Sequence, residues 1–273
     1  MQAIKEGKPT FLSSSPWTDT PWDIIPKSPL DQILDFLTQA PHIYLEAAKL
    51  QNLSPQALLT NTLDLLDKCW KLHDGIETFF AGFESTIPGP LYEPYLSQDN
   101  NPADDPFLGK VFPVAFRFRS LGLASITMWY WAIKFMLFNG MVNHFYPIID
   151  QLKAHSPIAS TDCGYCDSCL QAQSVCLTRR RVNKLRSLNE YEDHWSLAWY
   201  ICQSFEYCIE MMGVGPVAVT APLSIVAEIL GSHPEKGREG RWVRASLKRV
   251  EKKGLKFLGH TGITEDPGKL VQV

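Results

Sequence analysis

At 273 residues and a formal net charge of −3, the chain lacks the basic excess that counterion release demands of a nucleic-acid binder. Its composition, 45% apolar and 20% charged, is that of a globular protein long enough to bury most of its apolar surface without a staple. Seven cysteines, four of them clustered, fit a reduced cytosolic or nuclear setting better than a secreted disulfide scaffold, and the opening MQAIKEGKPTFLSSSPW has no apolar signal core.

Residues 1–27 are rich in Pro, Ser and Thr and are expected to form an irregular lead. Ser28-Pro29-Leu30-Asp31 then opens a helix, because Ser caps, Pro suits the first helical position and an acid favours the first turn. Leu30, Ile33, Leu34 and Leu37 form its stripe, and Pro41 predicts a break before a short segment through Leu50. Ser54-Pro55 repeats the start signal. Leu58, Leu63, Leu66, Trp70, Ile76 and Phe80 carry helical spacing over roughly seven turns, ending near Gly82.

Residues 84–110 hold five prolines and read as a long loop. From Ser120 an apolar helix follows. Leu121 to Val142 is about the roughly 20 residues a membrane span requires, but Lys134 inside it favours a helix buried on all sides. Asn143 to His155 is predicted helical, with Pro147 early, and residues 156–188 form a second long, polar, cysteine-containing insert. From Glu190 a helix places Trp199, Phe205 and Ile209 on one broad apolar side, with Cys202 between them, until Gly213 and Gly215 break it. Val217–Leu230 and Gly237–Lys253 are the last helices, the second with Trp242, Val243, Leu247 and Val250 on one side. β-Type alternation is scarce, so the fold class is all-α, a multi-helix bundle or helical-hairpin array with two long loops.

No pattern of residues carries a recognisable chemistry. There is no G-x-S-x-G elbow and no phosphate loop, and Gly213-Val214-Gly215-Pro216 lacks the strand a dinucleotide site needs. Asp104-Asp105 is followed by Pro106, Phe107 and Leu108 rather than a third acid, which reads as a turn and not a magnesium site. Glu192, Asp193 and His194 are adjacent and so point to different sides of a helix. No catalytic, cofactor-binding or metal residue is therefore assigned, no cofactor is expected, and the chain reads as a non-enzyme.

Cys163, Cys166, Cys169 and Cys176 are the sharpest local feature. Four thiolates in so short a stretch could close a zinc site, and the last three have half the spacing of a fungal binuclear cluster. Leu170, Gln171, Ala172, Gln173, Ser174 and Val175 between them carry no positive charge, so reduced loop cysteines are the reading adopted. Arg179, Arg180, Arg181, Lys184 and Arg186 follow as a basic run, either a nuclear-import patch or a solvated helix start.

The order of segments resembles the C-terminal regulatory region of fungal zinc binuclear-cluster transcription factors, in particular regulators found with secondary-metabolism gene clusters. The matching stretches are ALLTNTLDLLDKCWKLHDGIETFF with GPLYEPY, then VFPVAFRFRSLGLASITMWYWAIKFML. The third is WYICQSFEYCIEMMGVGPVAVTAPLSIVAEIL with RWVRASLKRVEKKGLKF. The resemblance spans roughly Leu30 to Gly262 and implies a single helical regulatory domain over 28–262, with the cysteine insert at about 156–188 and a tail at 263–273. That family's cysteine cluster comes first, and none lies ahead of residue 30.

The resulting expectation is a transcription-factor-like regulator, in the nucleus or alternatively the cytoplasm. It would act through protein contacts, with a full-length transcription factor as a candidate partner, and without specific DNA binding or a membrane. The alternative is an enzyme or accessory protein of a biosynthetic pathway with a hydrophobic small-molecule pocket, for which the eight tryptophans and fourteen phenylalanines would serve as lining.

Overall fold

A computed structural model describes residues 12, 14–18, 20–155, 178, 180–188, 193–211 and 214–252. The protein is predominantly all-α, with one small two-stranded sheet among the described residues. Helix α1 (Pro29–Ala48) starts on a complete capping box: Ser28 Oγ accepts from Asp31 N at 3.2 Å and Asp31 Oδ2 accepts from Ser28 N at 3.1 Å. Pro41 does not break α1 as its sequence predicts. Ala40 and Pro41 are both buried, and packing of the helix on both sides of the proline outweighs the one lost backbone bond. Helix α2 (Pro55–Ser85) begins on Ser54, whose Oγ accepts from Ala57 N, and runs to the expected end.

The stretch read as a loop, 84–110, contains the first strand of a hairpin. β1 (Tyr92–Leu96) pairs antiparallel with β2 (Val114–Phe118), Tyr92 opposite Phe118 and Leu96 opposite Val114. The prolines hid β1 from the sequence. Pro94 is accommodated on a strand with a single neighbour, where a missing donor costs little.

Helix α3 (Leu121–Gly140) is the centre of the molecule. It passes through a π turn at Met141–Phe145 into α4 (Tyr146–His155). Tyr146 N donates to Met141 O, five residues back, and Pro147 follows at once. A proline cannot donate to the carbonyl four residues earlier and its ring presses on that carbonyl, so the turn ahead of it widens. The helix at 121–154 is long and apolar enough to cross a membrane, but 72% of its most apolar window is buried within the protein. Lys134 is held there by Glu77 at 2.7 Å.

The single helix expected after Glu190 is two: α5 (Trp195–Gln203) and α6 (Phe205–Glu210). Ser204 between them donates its hydroxyl to Tyr200 O at 2.8 Å, a back-bond that bends helices. As a result Phe205 and Ile209 are buried while Trp199 is half-buried. Helix α7 (Gly215–Gly231) contains Pro222, and α8 (Gly237–Lys252) closes the described fold.

Two apolar cores flank α3. Met128, Trp131, Ala132 and Phe135 join the hairpin, α5, α6, α7 and α8 on one side. Ile133, Leu137 and Phe138 join Ile33 of α1, the buried row of α2 and Ile149 of α4 on the other. A helix that serves two cores must be apolar all round, which is why its composition mimics a membrane span.

Candidate functional site

A cleft opens into the interior where α1, α2, α3 and the π turn meet. It is a cavity of about 560 Å³, within the range of roughly 300–1,000 Å³ typical of small-molecule sites. Ile43, Tyr44 and Ala47 supply one wall from α1, and Leu58 and Cys69 another from α2. Met136, Leu137, Gly140 and Phe145 complete it from α3 and the π turn. The left-handed turn at Asn52 (φ 68°), a conformation Asn tolerates, brings Asn52 to its rim between α1 and α2. A Cβ placed on Gly140 would meet nothing within 4 Å, so the glycine leaves free volume rather than making a close contact.

A second cavity of about 480 Å³ adjoins the first, sharing Tyr44, Met136 and His144. Its lining is mixed: Asn139, Asn143, Glu228, Ser232 and His233 stand beside Ile225 and Ile229, with Asn143 Nδ2 donating to Asn139 Oδ1 at 2.8 Å. The two chambers thus differ in polarity: the first, the inner chamber, is mainly apolar, and the second, the mouth, carries more polar side chains. The π turn separates them, because it carries both Phe145 of the inner wall and His144 of the shared edge.

Burial governs the ionisable groups of the inner wall. It pushes the Cys69 thiol up to about 12, so Cys69 is a neutral apolar wall and not a thiolate nucleophile. Burial, and then proximity to Cys69, raises the Tyr44 phenol. Tyr44 presents a neutral hydroxyl between the chambers.

A polar network lies one turn further along α2 from Cys69. His73 is buried, with Nδ1 3.1 Å from Asp74 and Nε2 3.7 Å from Glu77. Glu77 accepts from Tyr130 at 2.8 Å and pairs with Lys134. Burial alone would raise the Glu77 carboxyl, but those two partners outweigh it and hold it below its ordinary value. Asp74 is lowered first by its hydrogen bond from Arg186 and then by that to His73.

Two arginines of the basic run dock on the same helix. Arg181 pairs with Asp64 at 2.8 Å and Asp67 at 2.7 Å, and Arg186 with Asp74 at 2.7 Å. These two arginines therefore face the acids of α2, a function the sequence did not suggest.

Asp104 and Asp105 act as turn carboxylates. Asp104 accepts from Asn101 N and Val111 N, and Asp105 from Phe107 N and Leu108 N. His194 lies buried beside Phe135, while Asp193 is exposed, so the two do not form a common site. Cys163, Cys166, Cys169 and Cys176, with Arg179, Glu192 and Gly213, lie outside the described residues. Among the described residues no group of three or more His, Cys, Asp or Glu side chains is placed to hold a metal.

Sequence reasoning missed Tyr44, Asn139, Gly140, Asn143 and His144. They lie in two segments about a hundred residues apart, in no motif, and only packing of α1 on α3 makes them neighbours. No family model matches the chain, and neither the curated proteins nor the solved structures contain a significant match.

Proposed function

We propose that this chain is a regulatory domain of the fungal transcription-factor type, working through protein contacts and governed by a small apolar molecule held in the α1–α3 cleft. The observation that carries the reading is the cleft itself: a mainly apolar chamber of about 560 Å³, bounded by four helical segments and opening to a more polar mouth. The apolar walls of a cleft of that size would be favourably covered by an apolar ligand. Its walls belong to α1, α2 and α3, so an occupant would bias how these helices pack, and with them the surface offered to a partner. The order of sequence segments supports the regulatory class, and the neutral Cys69 thiol favours binding over covalent chemistry in the cleft.

The test is a reporter assay in a fungal host, with the chain fused to a foreign DNA-binding domain. Reporter expression should differ from that of the bare DNA-binding domain, and plugging the cleft with Gly140→Leu should change it further. Expression equal to the bare domain for both the parent chain and Gly140→Leu, with both proteins present at equal level, overturns the regulatory reading.

A further inference from the structure

Resting on the cleft reading above, we infer that the occupant is a neutral amphipath, an aliphatic body in the inner chamber with a hydroxyl or carbonyl end at the mouth. The division of the walls is the reason. Ile43, Ala47, Leu58, Met136, Leu137 and Phe145 offer the inner chamber no charge and little hydrogen bonding, so it suits a hydrocarbon body. Gly140 lines that chamber, and a Cβ added there would meet nothing within 4 Å.

The mouth is more polar. Asn139, Asn143, His144 and Ser232 supply both donors and acceptors within one opening, beside the Tyr44 hydroxyl. Neither lysine nor arginine lines it among the described residues, and Glu228 contributes a carboxylate. His144 and His233 bring imidazoles to the mouth, but His233 Nδ1 lies 2.9 Å from Glu235, so a ligand carboxylate would lose hydration with no permanent positive charge to replace it, and a fatty-acid anion is disfavoured. A hydroxyl or carbonyl needs only the hydrogen bonds that the amides and imidazole provide. The two chambers meet at Tyr44, Met136 and His144, which sets the length of the body: the polar end sits where the π turn places His144, and the apolar end reaches toward Leu58.

The experiment uses the full chain, with Nile red as a neutral fluorescent probe and decan-1-ol and decanoate as competitors. Nile red should bind, and Gly140→Leu should weaken it by about tenfold or more, as the filled volume predicts. Ala47→Leu on the facing wall is the second plug should Gly140→Leu fail to fold by circular dichroism. Decan-1-ol should displace the probe at least about tenfold more effectively than decanoate, the factor expected of an uncompensated charge. Asn143→Leu combined with His144→Leu should weaken decan-1-ol about five- to tenfold, in line with lost hydrogen bonds, and leave Nile red less affected.

The outcomes separate the two ideas. Nile red that does not bind, or binds equally in both folded plug variants, overturns the cleft reading and this inference with it. Nile red lost on plugging, with decanoate competing as well as decan-1-ol, leaves the cleft standing and overturns the neutral amphipath. An unchanged decan-1-ol affinity in the double mouth variant overturns it as well.

Discussion

Asp99 and Arg249 meet in a two-pronged pair, Nη1 to Oδ2 at 2.5 Å and Nη2 to Oδ1 at 2.7 Å, which ties the tip side of the hairpin to α8. The residues around it serve the same end. Ser97 Oγ and Gln98 N donate to the buried Glu206 carboxylate, and Asn101 Nδ2 donates to Ser246 Oγ and Trp242 O. The loop between the strands is therefore fastened to α6 and α8 by side chains scattered over the second half of the chain.

Arg249→Ala should accordingly destabilise the protein by about 1–3 kcal/mol, since a planar charge-assisted pair is lost and the Asp99 carboxylate is left half-buried. Arg249→Lys should recover only part of this, because an ammonium cannot make the fork. Urea denaturation reads the loss. Hydrogen exchange of the Gln98 and Asn101 amides reads its location, and faster exchange there than in α2 is expected.

Phe205 is fully buried, in edge contact with Trp242 at 5.6 Å and with the Arg249 guanidinium 5.3 Å from its ring centroid. Phe205→Ala should cost about 3–5 kcal/mol through lost burial and a residual cavity. Trp199→Ala should cost less, because Trp199 is half-buried, stacked on Trp195 at 5.6 Å. Equal denaturation midpoints for the two variants would contradict the split at Ser204.

Two glycines should respond to alanine with opposite sign. A Cβ on Gly215 would stand 2.2 Å from Cys208 O, a backbone atom that cannot move aside cheaply, because α7 starts hard against α6. Gly215→Ala should destabilise by about 1–3 kcal/mol. Gly82 lies in the last turns of α2 with nothing within 4 Å of an added Cβ, so Gly82→Ala should stabilise by about 0.5–1 kcal/mol. Thermal melts of both variants check the signs.

His73 should make stability depend on pH. Asp74 and Glu77 face it from α2, Lys134 from α3, and Arg186 lies beyond Asp74. Burial drives the imidazole below its ordinary value of 6.5 and outweighs the two carboxylates, which pull the other way. The unfolded chain then binds more protons than the folded one below 6.5, so stability is full above that value and falls as the solution is acidified. The lowered Asp74 and Glu77 carboxyls act in the same sense at lower pH, below their ordinary values of 3.8 and 4.5. Urea midpoints should fall between about pH 7 and pH 5, and His73→Gln should flatten that part of the curve. A wild-type slope retained in His73→Gln would assign the effect to another group.

The sequence alone determined the elements whose signals are local. Ser28-Pro29 and Ser54-Pro55 start helices because a hydroxyl and a fixed φ act within one turn, and α2 ends where its periodic row ends. The apolar run of α3 was legible as a helix buried on all sides for the same reason. Tertiary packing decided the rest. Pro41 stays helical because the core holds both sides of it, β1 forms because β2 is there to pair with, and Arg181 finds Asp64 and Asp67 across the fold. The cleft belongs wholly to this second class. Tyr44 and His144 share no motif, and their meeting depends on α1 lying along α3 and on a π turn that Pro147 enforces, a distance in sequence that no local propensity spans.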